Sequence, residues 1–308
     1  MPNWCANRLY ICGDSTCITG VRALMKGDVD PYPDRAIRKS VRLFLAGLSG
    51  YLQPVTQTLY VPCPALTGGG TGENNPRNQA FSRWLELLRN NAELNESTCR
   101  LIDELYEASG LTGLSWEAFS VAGRERISPV ISLKYADWGG SYFSERMGDP
   151  AFWDSLAAPV KRSCTFDMRL VIPTKLAAEI NGFNGKLLKG IPDTYSFYTW
   201  EQYGVKWPSG QSLNICNEDK SCLTVDFDTP WGPPAERLIS ALSAQFQCSI
   251  THYFSEAGCD FCGCRIYEYG ELMATDDSCL EYDSENEEGW SGVCGPDWII
   301  DNVAHYGG

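Results

Sequence analysis

The hydrophobic period of this chain changes twice, and that limits its architecture more than any single motif does. Residues 6–12, ANRLYIC, are short, apolar and partly alternating, and Gly13-Asp14 ends them, as expected for a strand that leaves through a turn. A helix is expected from Ser15. From residue 33 the period becomes helical: Asp34 after Pro33 is placed to cap a helix with Ile37, Val41, Phe44, Leu45 and Leu48 as its apolar positions. Phe81, Trp84, Leu85 and Leu88 repeat the spacing, as do Leu101, Ile102, Leu105 and Tyr106 behind Ser97 as cap. Further helical stretches are expected from Ser115 and at AFWDSLA near residue 151, so residues 33 to about 160 read as mainly helical. The glycine-rich stretch TGGGTGENNP, residues 67–76, lacks the strand before it and the spacing of a phosphate cradle, and reads as a connection.

Strand patterns return from residue 164 with TFDMRLVI, then SLNIC and CLTVDFD flanking NEDK as a hairpin. A helix is expected from about Pro234, with Ala235, Leu238, Ile239, Leu242 and Phe246 on one face. CSITHYF and DFCGCRIYEY follow as two strands joined by SEAGC. Strands framing one amphipathic helix predict an α+β fold, a ferredoxin-like antiparallel sheet with helices on one face.

Composition supports a real core, since 44% of 308 residues are hydrophobic. The fourteen cysteines are scattered along a chain too long to need staples, no basic region followed by an apolar run opens it, and no stretch reaches the length of a membrane helix. A soluble cytoplasmic protein with reduced thiols is the expectation. Three of the cysteines, Cys259, Cys262 and Cys264, fall within six positions. A zinc site needs a second pair of knuckles, which the chain lacks, so Cys248, His252, Cys279 or Cys294 would have to complete one through the fold. A redox pair would sit at a helix start, whereas these thiols run into a strand. Cys262 and Cys264 are therefore expected to pack under the helix beside Ile250 and Phe254, with no metal and no cofactor. The two histidines, His252 and His305, accompany no nucleophile motif, and no catalytic residue is assigned.

The net charge of −14 is concentrated at one end. After Arg265 there is no Lys or Arg, and the last 43 residues hold eleven acids. A field of that sign repels phosphate backbones and disfavours direct nucleic-acid binding.

Four blocks in order, MPNWCANRLYICG, INGFNGKLLKGIP at 180–192, YTWEQYGVKWPSG at 198–210, and VDFDTPWGPPAERLISALSAQF followed by YFSEAGCDFCGCRIYEYGE, resemble the YubB-like family. The resemblance implies genes carried on conjugative plasmids, genomic islands or related mobile elements, a C-terminal ferredoxin-like domain, and no catalytic residues to carry over. Its marker positions, among them Asn3, Trp4, Asn7, Gly204, Lys206, Trp207, Trp231, Glu256, Gly258 and Gly263, read as fold markers. It also implies that the opening strand joins a sheet formed late in the chain. The expected division is then a ferredoxin-like domain at 1–32 and 161–272, a helical insertion at 33–160 and an acidic tail at 273–308.

The residues support two readings of function. In the first, a non-enzymatic accessory protein of a mobile element binds a host protein, and an acidic face competes for a basic, nucleic-acid-binding defence factor. The expected contact is DDSCLEYDSENEEG, residues 276–289, through Asp276, Asp277, Glu281, Asp283, Glu285, Glu287 and Glu288. Trp290, Trp298, Ile299, Ile300 and Tyr306 follow and call for burial against the body. In the second, the protein binds or processes nucleic acid on an aromatic face of the sheet made of Tyr253, Phe261, Tyr267 and Tyr269 with Arg265 among them.

Overall fold

The structure is a computed structural model and describes residues 3–140, 145–159, 166–284 and 291–308. Strand β1 (Trp4–Cys12) leads into helix α1 (Ser15–Lys26). Asp14 caps that helix by accepting the Cys17 N–H at 2.8 Å, and Gly27 ends it in the left-handed conformation. Helices α2 (Tyr32–Ser49), α3 (Pro76–Arg89), α4 (Glu96–Ala108), α5 (Val121–Lys134) and α6 (Asp149–Ser155) come next. The cap of α4 is Asn95 rather than Ser97, because Asn95 Oδ1 is the oxygen that accepts the Thr98 N–H. From Ser115 the chain makes only a single tight turn before Ser120 caps α5.

Within the expected strand TFDMRLVI the described part of β2 (Phe166–Asp167) ends at Asp167, because the Asp167 carboxylate accepts the Arg169 N–H and turns the chain. Short helices α7 (Leu176–Asn181) and α8 (Thr194–Ser196) follow. The remainder is β3 (Ser209–Glu218), β4 (Cys222–Pro230), α9 (Glu236–Phe246), β5 (Ser249–Glu256), β6 (Phe261–Glu268), β7 (Glu271–Ser278), β8 (Glu281–Tyr282), β9 (Val293–Gly295) and α10 (Asp297–Ile300).

Seven strands form one antiparallel sheet in the order β2-β3-β4-β1-β5-β6-β7. Its centre, β3-β4-β1-β5, with α1 after β1 and α9 between β4 and β5, is the ferredoxin-like arrangement the sequence predicts. Alternation along the central strands buries Leu9, Ile11, Leu223, Val225, Phe227, Ile250 and Phe254, and the helices contribute Ile18, Val21, Leu238, Ile239 and Leu242.

The chain forms two compact units. The α+β unit comprises Met1–Asp30, Arg162–Ile172 and Tyr198–Gly308, and the helical unit Pro31–Lys161 and Pro173–Phe197. Two parts of the expected division differ from this. Residues Pro173–Phe197, assigned from the sequence to the α+β domain, group with the helices, and the segment 273–308 belongs to the α+β unit as strands and a helix.

The helical unit explains the first shift. Lys134, at the end of α5, is buried, and its ammonium donates to Asp137 Oδ2 at 3.1 Å, to the Asn181 carbonyl and to Asn184 Oδ1. The block INGFNGKLLKGIP is therefore wrapped around an internal cation. Asn181 completes the wrap, accepting the Leu188 N–H at 2.8 Å and donating to the Ile191 carbonyl at 2.9 Å. In the same unit Arg42 is buried with its guanidinium 3.9 Å from the centre of the Trp153 ring.

Candidate functional site

Strand β7 carries the start of the acidic segment and ends the sheet: among the described residues it pairs with β6 alone. Its placement follows from the turn before it. Tyr269 and Gly270 both have positive φ, 51° and 99°, the requirement of a two-residue hairpin whose twist matches its strands. Helix α9 clamps that turn, since Ser243 Oγ accepts the Gly270 N–H at 3.0 Å and Ser240 Oγ donates to the Gly270 carbonyl. A Cβ on residue 270 would lie 2.8 Å from Ala244 Cβ, so only glycine fits.

All eight residues of β7 are exposed. Met273 is the extra residue of a bulge between the pairs Ile266–Ala274 and Tyr267–Leu272, and it stands 59% exposed beside exposed Leu272. The bulge breaks the ladder and re-aims these side chains. Alternation then sends Asp276 to the face of Cys264, whereas Asp277 lies opposite Gly263 and accepts from Arg265 Nη2 at 3.4 Å. Glu281 lies in β8, and Asp283 accepts the Gly292 N–H at 2.6 Å, closing the loop between β8 and β9. Glu285, Glu287, Glu288 and Trp290 lie outside the described residues. Exposed Leu272 and Met273 thus follow Glu271 on the same edge strand that carries Asp276 and Asp277.

The segment after these acids returns to the body. Cys262, Leu280, Ile299 and Val303 form a small buried cluster against which Tyr253, Trp298 and Tyr306 pack. The Ala257 N–H donates to the Tyr306 carbonyl at 2.9 Å, and the Gly308 N–H to the Trp4 carbonyl at 2.9 Å. His305 is held at both ring nitrogens: Nδ1 accepts the Gly307 N–H at 3.1 Å, which leaves the Nε2 proton to donate to Asp228 Oδ1 at 2.8 Å. His252 is fully buried and donates from Nε2 to Asn7 Oδ1 at 3.0 Å. Asn7 spends its amide protons on the Cys5 and Phe227 carbonyls and on Thr229 Oγ1.

The register of β6 corrects two expectations at once. Tyr253 lies directly opposite Cys264, and Phe254 opposite Gly263, so Tyr253 shares a face with Cys262 and Cys264 while Phe261, Arg265 and Tyr267 occupy the other. That other face is the one under α9: Arg265 pairs with Glu236 of that helix at 3.2 Å and stacks 4.6 Å from the centre of the Phe254 ring, and Tyr267 is buried. Tyr269 is in the turn. The five residues of the expected aromatic face therefore do not form one platform. Cys262 is a packing residue, but against Leu280, Ile299 and Val303 rather than under the helix, and Cys264 is half-buried beside Tyr253. The glycine of FCGC makes room for Phe254, whose ring a Cβ at residue 263 would meet at 2.2 Å.

The hairpin SEAGC is held by a carboxylate. Glu256 is buried and accepts the Gly258 N–H at 2.8 Å and the Cys259 N–H at 2.7 Å. Cys259 is exposed beyond it, and among the described residues no group of three or more His, Cys, Asp or Glu side chains is arranged to hold a metal.

One cluster went unassembled in the sequence reading. Trp4, Trp207 and Trp231 stand in a row, with ring centroids 6.2 and 5.8 Å apart, and the Lys206 ammonium lies 4.7 Å from the Trp231 centroid. Trp207 and Trp231 are exposed. The pairing of Trp4 with Pro230 brings residues so distant in sequence together.

A family model described as a protein of unknown function, DUF1281, matches residues 30–207, more than half of the chain. The chain belongs to the DUF1281 family. A second model, a ferredoxin-like domain in Api92-like protein, matches residues 211–296, so the DUF1281 chain carries β7, β8 and β9 within that domain. The crystal structure of protein api92 from Yersinia pseudotuberculosis, a DUF1281 member, is 35% identical, covers 91% of this chain and 99% of its own, and superposes with a TM-score of 0.84. Two proteins of Escherichia coli K12 are also similar. YubB is 46% identical over 144 residues, 46% of this chain and 99% of YubB, and YubA is 36% identical over 156 residues, 51% of this chain and 92% of YubA. Both are described as uncharacterised, so the family places the DUF1281 fold and supplies no reaction. No described helix is long and apolar enough to cross a membrane.

Proposed function

We propose that this protein is a binding protein whose contact surface is the ordered acidic strand β7 with the start of β8, and that its partner is a basic protein. One observation carries the reading. The acids here are fixed on an exposed edge strand that also presents Leu272 and Met273, so apolar and charged groups are offered together, as protein interfaces combine them. Carboxylates at fixed spacing steer a basic partner and choose among partners, and the apolar pair supplies burial once it arrives. The mobile-element setting implied by the resemblance directs the search to host proteins, including nucleic-acid-binding defence factors.

The test is capture from nuclease-treated host lysate with the full chain, at low and high salt. A basic protein is expected to be retained at low salt, and to be lost with a Glu271→Lys, Asp276→Lys double change and in high salt. Met273→Ala is expected to weaken it about tenfold, the ~1.4 kcal/mol of a modest hot spot. Retention indifferent to salt and to charge reversal would sink the reading.

The nucleic-acid reading keeps one support, in a place the sequence did not suggest. The exposed indoles of Trp207 and Trp231, with Lys206 beside them, offer faces on which bases stack. It predicts that labelled single-stranded RNA or DNA is shifted on a gel and that Trp231→Ala removes the shift. An unshifted probe at low salt ends it.

A further inference from the structure

The far end of β1 holds a pair of thiols that neither reading of function uses. Cys12 and Cys222 are 210 positions apart in sequence and directly opposite in the ladder between β1 and β4, with their sulfurs 2.7 Å apart. The Gly13 N–H donates to the Ser221 carbonyl at 3.0 Å, one residue beyond the pair on each strand. That bond marks Cys12 and Cys222 as a non-hydrogen-bonded pair, the position at which facing Cα atoms come within about 4.5 Å, inside the range a disulfide spans.

Both backbones are held there. Asp219 Oδ1 accepts the Ser221 and Cys222 N–H groups at 2.7 and 2.6 Å, and Ser249 Oγ donates to the Cys12 carbonyl at 3.3 Å. Alternation puts both side chains on the face away from α1 and α9, in line with Arg8 and Tyr10; Cys12 is exposed and Cys222 half-buried. Small reagents can reach them. Of the other thiols toward this end, Cys17 and Cys248 are buried, and Cys216 of β3 is exposed but bonded to Asp226 Oδ2 at 2.7 Å.

We propose that Cys12 and Cys222 are a dithiol that oxidises reversibly to an intramolecular disulfide by exchange with a low-molecular-weight disulfide. One protein thiolate attacks a sulfur of that disulfide, forming a mixed disulfide and expelling one small thiolate. The second protein thiolate attacks the protein-side sulfur of the mixed disulfide and expels the other. The two protons leave the protein thiols and end on the two small thiols, so the protein pair loses two electrons and the small disulfide gains them. Burial, and after it the neighbouring Cys222, push the Cys12 thiol up to about 11, so the exchange quickens as pH is raised. The link would tie β1 to β4 across the longest connection in the α+β unit, where a covalent closure restrains the unfolded chain most.

The experiment treats the native full chain with an excess of oxidised glutathione, blocks remaining thiols by alkylation and maps tryptic peptides by mass. The expected result is a loss of two free thiols per chain and a linked peptide joining residues 9–22 to 221–237, reversed by dithiothreitol. Because residues 9–22 also contain Cys17, the linked peptide should vanish in Cys12→Ser and in Cys222→Ser and persist in Cys17→Ser. Glutathione attached singly to Cys12 or Cys222 without the link, a link that survives Cys12→Ser, or a link between two chains would each overturn the proposal.

Discussion

Replacing Lys134 with methionine is expected to destabilise the helical unit by about 3–5 kcal/mol, the cost of removing one partner from a buried ion pair. Lys134 and Asp137 are both almost wholly shielded from water. Burial lowers the lysine pKa, with Asp137 opposing. Methionine fills much of the space, so packing alone predicts a small effect. What is lost is the cation that Asp137, the Asn181 carbonyl and Asn184 Oδ1 converge on. Native-state amide exchange in α5 and in residues 176–197 should therefore quicken on the order of 100- to 5,000-fold if the unit opens as a whole. Exchanging Asp137 for leucine in the same chain should recover most of that loss, because no buried charge is then left behind. A single variant within about 0.5 kcal/mol of the parent would refute the account.

The second large effect is acid destabilisation of the sheet through His252. Burial, and after it the charge of Arg265, lower this imidazole from 6.5 to about 3. Nε2 gives its proton to Asn7 Oδ1, and Nδ1 is buried with no hydrogen-bond partner, so a second proton would find no acceptor there. The folded pKa is below the unfolded one. His252 therefore costs nothing above about pH 7, and as pH falls from 6.5 toward 3 the unfolded chain takes up a proton the folded chain refuses. Stability should decline by up to about 1.4 kcal/mol for each pH unit in that window. The chain has one other histidine, so His252→Gln, which can keep a donor toward Asn7, isolates the effect above the carboxylate range. Urea unfolding between pH 5 and about 6.5, followed for both proteins, checks it. Parallel pH profiles for parent and variant would show that His252 is not the group responsible.

Local patterning was enough for α2, α3, α9 and the strands β1, β4, β5 and β6, because apolar spacing and flanking turn residues mark each of them. It was not enough for β7 to α10. ELMATDDS reads as a solvated tail on composition, and what orders it is non-local: two serines of α9 holding the Tyr269-Gly270 turn, and Ile299 and Val303 closing over Cys262. The faces of β6 were inverted for a related reason. Both of its sides are partly buried, so hydrophobicity could not say which meets the helix. The opposition of Phe254 to Gly263 decides it, and that is a property of register. At the candidate contact the acids were visible as charge, whereas the apolar pair on the same strand required the bulge at Met273. The row of Trp4, Trp207 and Trp231 required the topology itself.

That topology also sets an order of events during synthesis. The central strand β1 is made well before its sheet partners, because both of its neighbours, β4 and β5, are encoded more than 200 residues later. At roughly 5–20 residues per second, β1 waits on the order of 10–50 s with Leu9 and Ile11 unsheltered. The helical unit, whose partners all lie within residues 31–197, can be complete well before then. A chain built this way leaves the apolar face of its central strand without sheet partners through most of its own synthesis, the interval in which such surface is open to chaperones.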